Sequence, residues 1–248
     1  MAPPNAARAA ADLVLTEPGL SVISVAVEEA RRIFRRMNSY AVFRIAETIR
    51  VLLFLTLSIL VFEFYPVTAV MVVLLALLND VPIMMIAYDN APVAGEPRRW
   101  DMRRTLWEAA LLGGLGVLAT FLLYWLARNY LALPTPEVQT LIFLKLLVAG
   151  HMTLYITRAD GVFWQRPWPN WRLFVTVEAT QIVGTLAAVY GWFISGIGWP
   201  LALMVWGFSL LSFLVNATAK VALVKLMSYR AHHQSRHLDR MESTMHSH

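Results

Sequence analysis

TLSILVFEFYPVTAVMVVLLALLNDVPIMMIAYDN, residues 56–90, decides how this chain is read. Two apolar runs meet at a short break, Glu63 to Pro66, and the second run carries a carboxylate, Asp80, with Pro82 two residues further on. A carboxylate deep in hydrocarbon costs roughly 2.5–3.5 kcal/mol on insertion scales, so a chain that keeps one there usually uses it. A proline in a helix interior removes one backbone hydrogen bond and crowds the carbonyl four residues back, here Leu78, leaving polar backbone beside the acid. An acid next to a broken helix predicts an ion site.

The rest of the chain is a membrane protein by composition. Hydrophobic residues make up 58% and charged residues 15% of its 248 residues, and the mean hydropathy is +0.56. A soluble domain carries about 25% charged residues. With no cysteine, disulfides, thiolate metal sites and cysteine nucleophiles are excluded. The net charge of +5 does not point to nucleic acid, because the arginines fall in short clusters between apolar runs, as the positive-inside rule requires. The opening residues have no apolar core behind a basic leader, and Asp12 and Glu17 interrupt them, so no signal peptide is predicted.

Residues 21–39 place apolar side chains at helical spacing, with Glu28, Glu29, Arg31, Arg32, Arg35 and Arg36 on the other faces. No Gly or Pro occurs between Gly19 and Pro66, so this amphipathic helix is expected to run as a stalk into a first span near 41–63. Further runs near 67–88, 106–127, 138–157, 172–195 and 199–226 are each close to the roughly 20 residues that cross a bilayer. The expected fold is an all-α integral membrane protein, a six-transmembrane-helix bundle with an amino-terminal stalk helix (21–40), a membrane domain (41–226) and a tail (227–248). Arg98, Arg99, Arg103 and Arg104, then Arg158, Arg166 and Arg172, then Lys225, Arg230, Arg236 and Arg240 alternate with a side that holds only Arg128. Both termini are therefore expected in the cytoplasm. Trp164, Trp168 and Trp171 read as an interfacial belt.

Counting outward from residue 65, Arg50 and Asp80 lie equally far along their helices, about 22 Å at 1.5 Å per residue. They are expected to face each other. If Arg50 approaches Asp80 in one conformation and withdraws in another, the acid releases a proton in the first and binds one in the second. The competing structural reading is a static buried ion pair. Asn79 lines the site or bonds a protonated acid, although its side chain points about 100° from that of Asp80 on an ideal helix. Glu63 is a possible exit-path acid at the outer turn. Arg44 and Glu47 are expected to snorkel at the boundary. Lys145, His151, Glu178, Gln181, Asn216 and Lys220 read as hydrogen-bonding contacts between helices, with His151 and Glu178 at matching depths. The histidines of the tail (His232, His233, His237, His246 and His248) lack the spacing of a metal site and read as a solvated tail.

Three stretches carry a resemblance: AARAAADLVLTEPGLSVI (6–23), RRIFRRMNSYAVFRIAETIRVLLF (31–54) and LLALLNDVPIMMIAYDN (74–90), the last followed by WDMRR (100–104). Together they resemble the C-terminal part of the plasma-membrane-type proton-exporting P-type ATPases, over nearly the whole chain. The resemblance implies that residues 1–20 are a remnant of the phosphorylation domain, that the six spans correspond to membrane helices five to ten, and that LLND at 77–80 places Asp80 on the proton-binding aspartate. It implies Arg50 as the counter-charge and a plasma-membrane location. The family's DKTGT, TGES and TGDGVND motifs are absent from this sequence. ATP and magnesium are implied for a complete pump and not for this chain, which is not expected to be catalytically competent alone.

The function expected is therefore the transport-domain part of a proton-translocating ATPase. Asp80 carries the proton, Arg50 opposes it, and Asn79 and Pro82 shape the site. The expected partners are the bilayer, protons and the missing amino-terminal half, with no nucleic acid. Met1 falls where a phosphorylation domain would be finishing, which reads as a truncated product, a split subunit or an excised fragment. The alternatives are an ATP-independent proton or cation channel, an accessory membrane subunit, or a nonfunctional remnant.

Overall fold

The structure, a computed structural model, describes Ala9, residues 20–91, 101–159 and 161–245, with backbone alone at Leu20 and over 230–245. The segment read as a phosphorylation-domain remnant (1–20), apart from Ala9 and Leu20, lies outside the described residues, as do Arg98, Arg99, His246 and His248. Among the described residues there are helices and no strands, and six helices are long and apolar enough to cross a membrane.

The first helix, α1 (Leu20–Phe62), has 43 residues, about 65 Å of helix against a hydrocarbon core of about 30 Å. Stalk and first span are thus one element, as the absence of Gly and Pro predicts. The stalk half is solvated and laced by ion pairs, Arg32 with Glu28 at 3.9 Å and with Glu29 at 3.3 Å, and Arg36 with Glu29 at 3.3 Å. Such exposed pairs each contribute a few tenths of a kcal/mol. The helix stops at Phe62 because Glu63 turns left-handed, with φ of +49°, and the Phe64 amide closes back on the Ser58 carbonyl at 3.2 Å.

Helix α2 (Ala69–Met85) begins at Thr68, whose hydroxyl accepts from the Met71 amide at 3.3 Å. It passes through Pro82 and ends in a single 3-10 turn, Ile86–Tyr88. Helix α3 (Met102–Trp125) is capped by Asp101, which accepts from the Arg104 amide at 3.1 Å, and it widens into a π turn over Leu126–Tyr130. Helices α4 (Thr135–Thr157), α5 (Trp171–Tyr190) and α6 (Gly198–Met245) complete the bundle.

Helix α4 is the axis. Its apolar window is 94% buried, against 28–44% for the other five spans. All five neighbours pack on it, while α1 lies mainly on α3 and α2 mainly on α5. Lipid tails are as apolar as leucine, so close packing rather than water exclusion holds such a bundle together. At Gly113 of α3 a side-chain carbon would lie 2.8 Å from Ile49 Cγ2 and 2.9 Å from the Ala46 carbonyl oxygen, so only glycine admits α1 at this distance.

One end of the bundle is fastened by Asp89, which is buried. Its carboxylate accepts from Arg158 Nε at 2.6 Å, Arg158 Nη2 at 3.0 Å and the Asn170 amide at 3.1 Å, while its carbonyl accepts from Arg36 Nε at 2.8 Å. This joins the stalk part of α1 to the ends of α2, α4 and α5. Trp164, Trp168 and Trp171 stand exposed beside it.

One boundary differs from expectation. The span read as 172–195 stops at Tyr190, where Gly191 takes φ of +77° and its amide bonds the Ala187 carbonyl at 3.0 Å. The apolar residues beyond it form the turn into α6, and composition alone reads them as helix. In the segment read as a solvated tail (227–248), α6 continues as helix to Met245.

Candidate functional site

On α2 the buried residues are Met71, Leu75, Asn79 and Pro82. Their spacing defines a narrow stripe, and it turns Asn79 into the bundle. Asp80, about 100° further round, lies exposed on the opposite side among Leu77, Val81 and Met84, which are exposed too. Among the described residues Asp80 makes no ion pair. The expectation of a broken helix is also corrected, because α2 stays helical through Pro82 for three further residues. Proline costs this helix one hydrogen bond without unwinding it. The proline leaves the Leu78 carbonyl without its helical amide partner. Nearby in the bundle interior, both nitrogens of His151 on α4, and Asn79 Oδ1, are buried without a hydrogen-bond partner.

Arg50 does not face Asp80. Equal depth fixes height and leaves azimuth free, and α1 aims Arg50 at α3 and α4. Its guanidinium forms a buried ion pair with Glu47, one turn back on the same helix, and Nη2 also donates to the Leu146 carbonyl at 3.0 Å. Two glycines make room for it. A side-chain carbon at Gly116 would come within 2.6 Å of Arg50 Cδ, and one at Gly150 within 2.7 Å of Arg50 Nη2 and 3.2 Å of Glu47 Oε1. Glu47 is therefore a buried partner of Arg50 and does not snorkel. Its Oε1 and Arg50 Nε have no hydrogen-bond partner. Lys145, one residue before the bonded carbonyl, is buried as well, with its ammonium 5.7 Å from the centre of the Phe208 ring on α6.

The interior thus holds buried polar side chains from three helices: the paired Glu47 and Arg50 of α1, Asn79 of α2, and Lys145 and His151 of α4. Glu47 was missed as a site residue although its signal was in the sequence, an acid three residues before an arginine on a continuous helix. His151 and Glu178 do not meet: Glu178 accepts from the Tyr155 hydroxyl at 3.1 Å. Lys220 does serve as a contact between helices, donating to the Ile156 and Ala159 carbonyls at 2.9 and 2.7 Å and lying 3.8 Å from Glu108, which also pairs with Arg104 at 2.8 Å. Glu63 sits exposed at the turn between α1 and α2, about 20 Å of helix from Arg50. Among the described residues no group of three His, Asp or Glu is placed to hold a metal ion. An apolar hollow of about 270 Å³ between α5 and α6, lined by Ile182, Leu186, Trp199 and Leu203 among others, lies apart from the Glu47–Arg50 pair.

Known proteins share this sequence pattern. No family model matches the chain. It is 48% identical over 221 residues, 89% of its length, to a Methanocaldococcus jannaschii protein named as a cation-transporting ATPase. It is 34% identical over 191 residues to the plasma membrane ATPase of Kluyveromyces lactis, and 36% identical over 195 residues to plasma membrane ATPase 2 of Saccharomyces cerevisiae, each match covering 76% of the chain. The chain spans only 28% of the first relative's length and 21% and 20% of the two fungal ones. The likeness to the membrane portion of P-type cation pumps, read from the LLND stretch and its surroundings, is borne out by these relatives and by the six spanning helices.

Proposed function

We propose that this chain, similar over most of its length to one part of the cation-transporting ATPases, is the transport-domain part of a proton pump, with Asp80 as the proton carrier. One observation supports this above the others: α2 presents Asp80 in the middle of an exposed apolar face. A carboxylate there meets either lipid, at a cost of roughly 2.5–3.5 kcal/mol, or another protein element. The reading takes the second option, with the amino-terminal half of the pump covering that face.

Binding and release of a proton at Asp80 require its surroundings to alternate. Arg50 is the counter-charge, and reaching Asp80 requires it to leave Glu47 and the Leu146 carbonyl. It also requires α2 to rotate by about 100°, the angle that separates Asn79 from Asp80. Pro82 eases such a rotation because the Leu78 carbonyl is already free of a helical bond. Asn79 holds the inward position while Asp80 is outside, and Glu63 stands at the outer mouth. The arginine clusters support cytoplasmic termini, and the names of the fungal relatives support a plasma-membrane location. ATP and magnesium drive the cycle from the parts of a complete pump that carry the phosphorylation motifs, which this sequence does not contain.

The test grafts this chain in place of the matching part of the Methanocaldococcus relative and follows ATP-driven acidification in proteoliposomes. Asp80→Asn is expected to abolish acidification at unchanged expression. Undiminished pumping by that variant would sink the carrier role. Proton flux through liposomes holding the chain alone would favour the ATP-independent channel.

A further inference from the structure

The hollow between α5 and α6 is built by two facing stripes. Along α5 it is lined by Ile182, Thr185 and Leu186, and along α6 by Trp199, Leu203 and Trp206, at the three- and four-residue spacings that share one side of a helix. Between the two indoles stands Ala202, fully buried, whose methyl is too small to close the gap. Both ends are propped. Trp206 Nε1 donates to the Thr185 hydroxyl at 3.1 Å, which ties that indole to α5. At the other end the Trp199 ring stands edge-on to Tyr190, with centroids 6.4 Å apart. Rings held in this way do not fold into the space between them, so the hollow of about 270 Å³ is part of the packing. An apolar cavity of about 150 Å³ is already large enough to take up benzene.

The chemistry of the occupant follows from what the lining leaves unbonded. The Thr185 hydroxyl is used twice, donating to the Gln181 carbonyl at 2.7 Å and accepting from Trp206, and the Trp206 indole is used in that same bond. What remains is carbon, apart from the indole nitrogen of Trp199 at the second residue of α6. A peptide segment or a lipid headgroup placed in the hollow leaves its polar atoms unpaired, which apolar surroundings penalise. Hydrocarbon loses nothing there and gains the dispersion contacts that an empty gap forfeits.

The hollow opens sideways. Ile182 and Leu203 are 54% and 64% exposed, and on a membrane-spanning bundle such apolar exposure faces lipid tails. Tyr190, Trp192 and Trp199, exposed as well, stand where α5 gives way to α6, and aromatic rings at span ends meet the headgroup region. Ile182 lies eight residues, about 12 Å of helix, from Tyr190. The open side thus runs from an aromatic rim into hydrocarbon, as a lipid molecule does.

We propose that this hollow is a binding site for one acyl chain of a membrane phospholipid, which enters between Ile182 and Leu203 and lies against Ala202, with its glycerol end at the Tyr190–Trp199 rim. The Thr185–Trp206 bond keeps the indole out of the chain's place. The site belongs to α5 and α6 and rests on nothing said of Asp80, so either reading stands if the other fails.

The experiment uses the full chain in phosphatidylcholine nanodiscs that contain a trace of the same lipid with a photoreactive diazirine in the middle of one acyl chain. After illumination, mass spectrometry locates the labelled residues. Adducts are expected on Ile182, Leu186 and Leu203 severalfold above Leu118 and Leu122 of α3, which are 66% and 55% exposed but lie outside the hollow. Leu186→Phe fills the hollow from α5 and Ala202→Leu from α6; each is expected to bring Ile182 and Leu203 down to the level of the α3 residues. If neither variant folds, the contrast within the parent chain decides. Even labelling of all these positions means bulk lipid only and overturns the proposal, as does labelling that persists in a filled variant. Stronger labelling by a photoreactive sterol than by the phospholipid, or protection of Ile182 and Leu203 through contact with a second copy of the chain, also overturns it by giving the hollow to another occupant.

Discussion

A side-chain carbon at position 150 would meet Arg50 and Glu47, whereas one at Gly114, on the neighbouring α3, would meet nothing within 4 Å. The two glycines therefore respond oppositely to the same change. Gly150→Ala pushes into the ion pair and is expected to destabilise the bundle by about 1–3 kcal/mol, as overpacking does. Gly114→Ala is expected to be neutral or to stabilise by up to ~1 kcal/mol through helix propensity. Unfolding midpoints in mixed micelles, measured side by side, check the pair; equal midpoints would mean that Arg50 does not occupy the gap. Glu47 gives a companion prediction. Glu47→Ala leaves Arg50 buried with only the Leu146 carbonyl, and losing one partner of a buried pair costs about 3–5 kcal/mol. Glu47→Gln keeps an acceptor for Arg50 and is expected to lose clearly less. The same midpoints decide, and an equal loss in both variants would show that acceptor geometry contributes nothing at this site.

Among the elements, α2 carries the sharpest test. Pro82→Ala supplies the missing amide to the Leu78 carbonyl, so residue 82 is expected to become strongly protected in hydrogen exchange and the bundle to gain up to ~3 kcal/mol, the cost of an interior proline. In a complete pump the same variant is expected to slow transport, because α2 rotates less freely. Protection at 82 without any effect on transport would remove Pro82 from the mechanism. Most elements were legible in the sequence because length and apolarity report spans almost directly. The 43-residue α1 followed from an uninterrupted run without Gly or Pro, and the Glu63–Pro66 break located the first turn. Azimuth was not legible. One residue of offset on a helix is about 100°, so matching Arg50 and Asp80 by depth left open that Asn79, and not Asp80, belongs to the buried stripe. The end of α5 was hidden for another reason, since Gly191 stops the helix while hydrophobicity continues through Ile197.

For the whole molecule, the distribution of burial separates one enclosed helix from five peripheral ones. Helix α4 is enclosed by its five neighbours, while the spans of α1 and α2 are only 28% buried in their apolar windows. Apolar exposure is what lipid requires, so most of that surface needs no explanation. Asp80 is the exception, because lipid offers a carboxylate nothing. Two settings should therefore treat Asp80→Leu differently. In the chain alone, glycosylation mapping of the second span is expected to report better insertion, corresponding to roughly 2.5–3.5 kcal/mol. In a complete pump, where that face is covered, the gain disappears and transport is lost. Equal insertion of the parent chain and the Asp80→Leu variant would mean that the chain already shelters its own carboxylate, through a second copy of itself or a rotated α2, and the face would no longer argue for a covering partner.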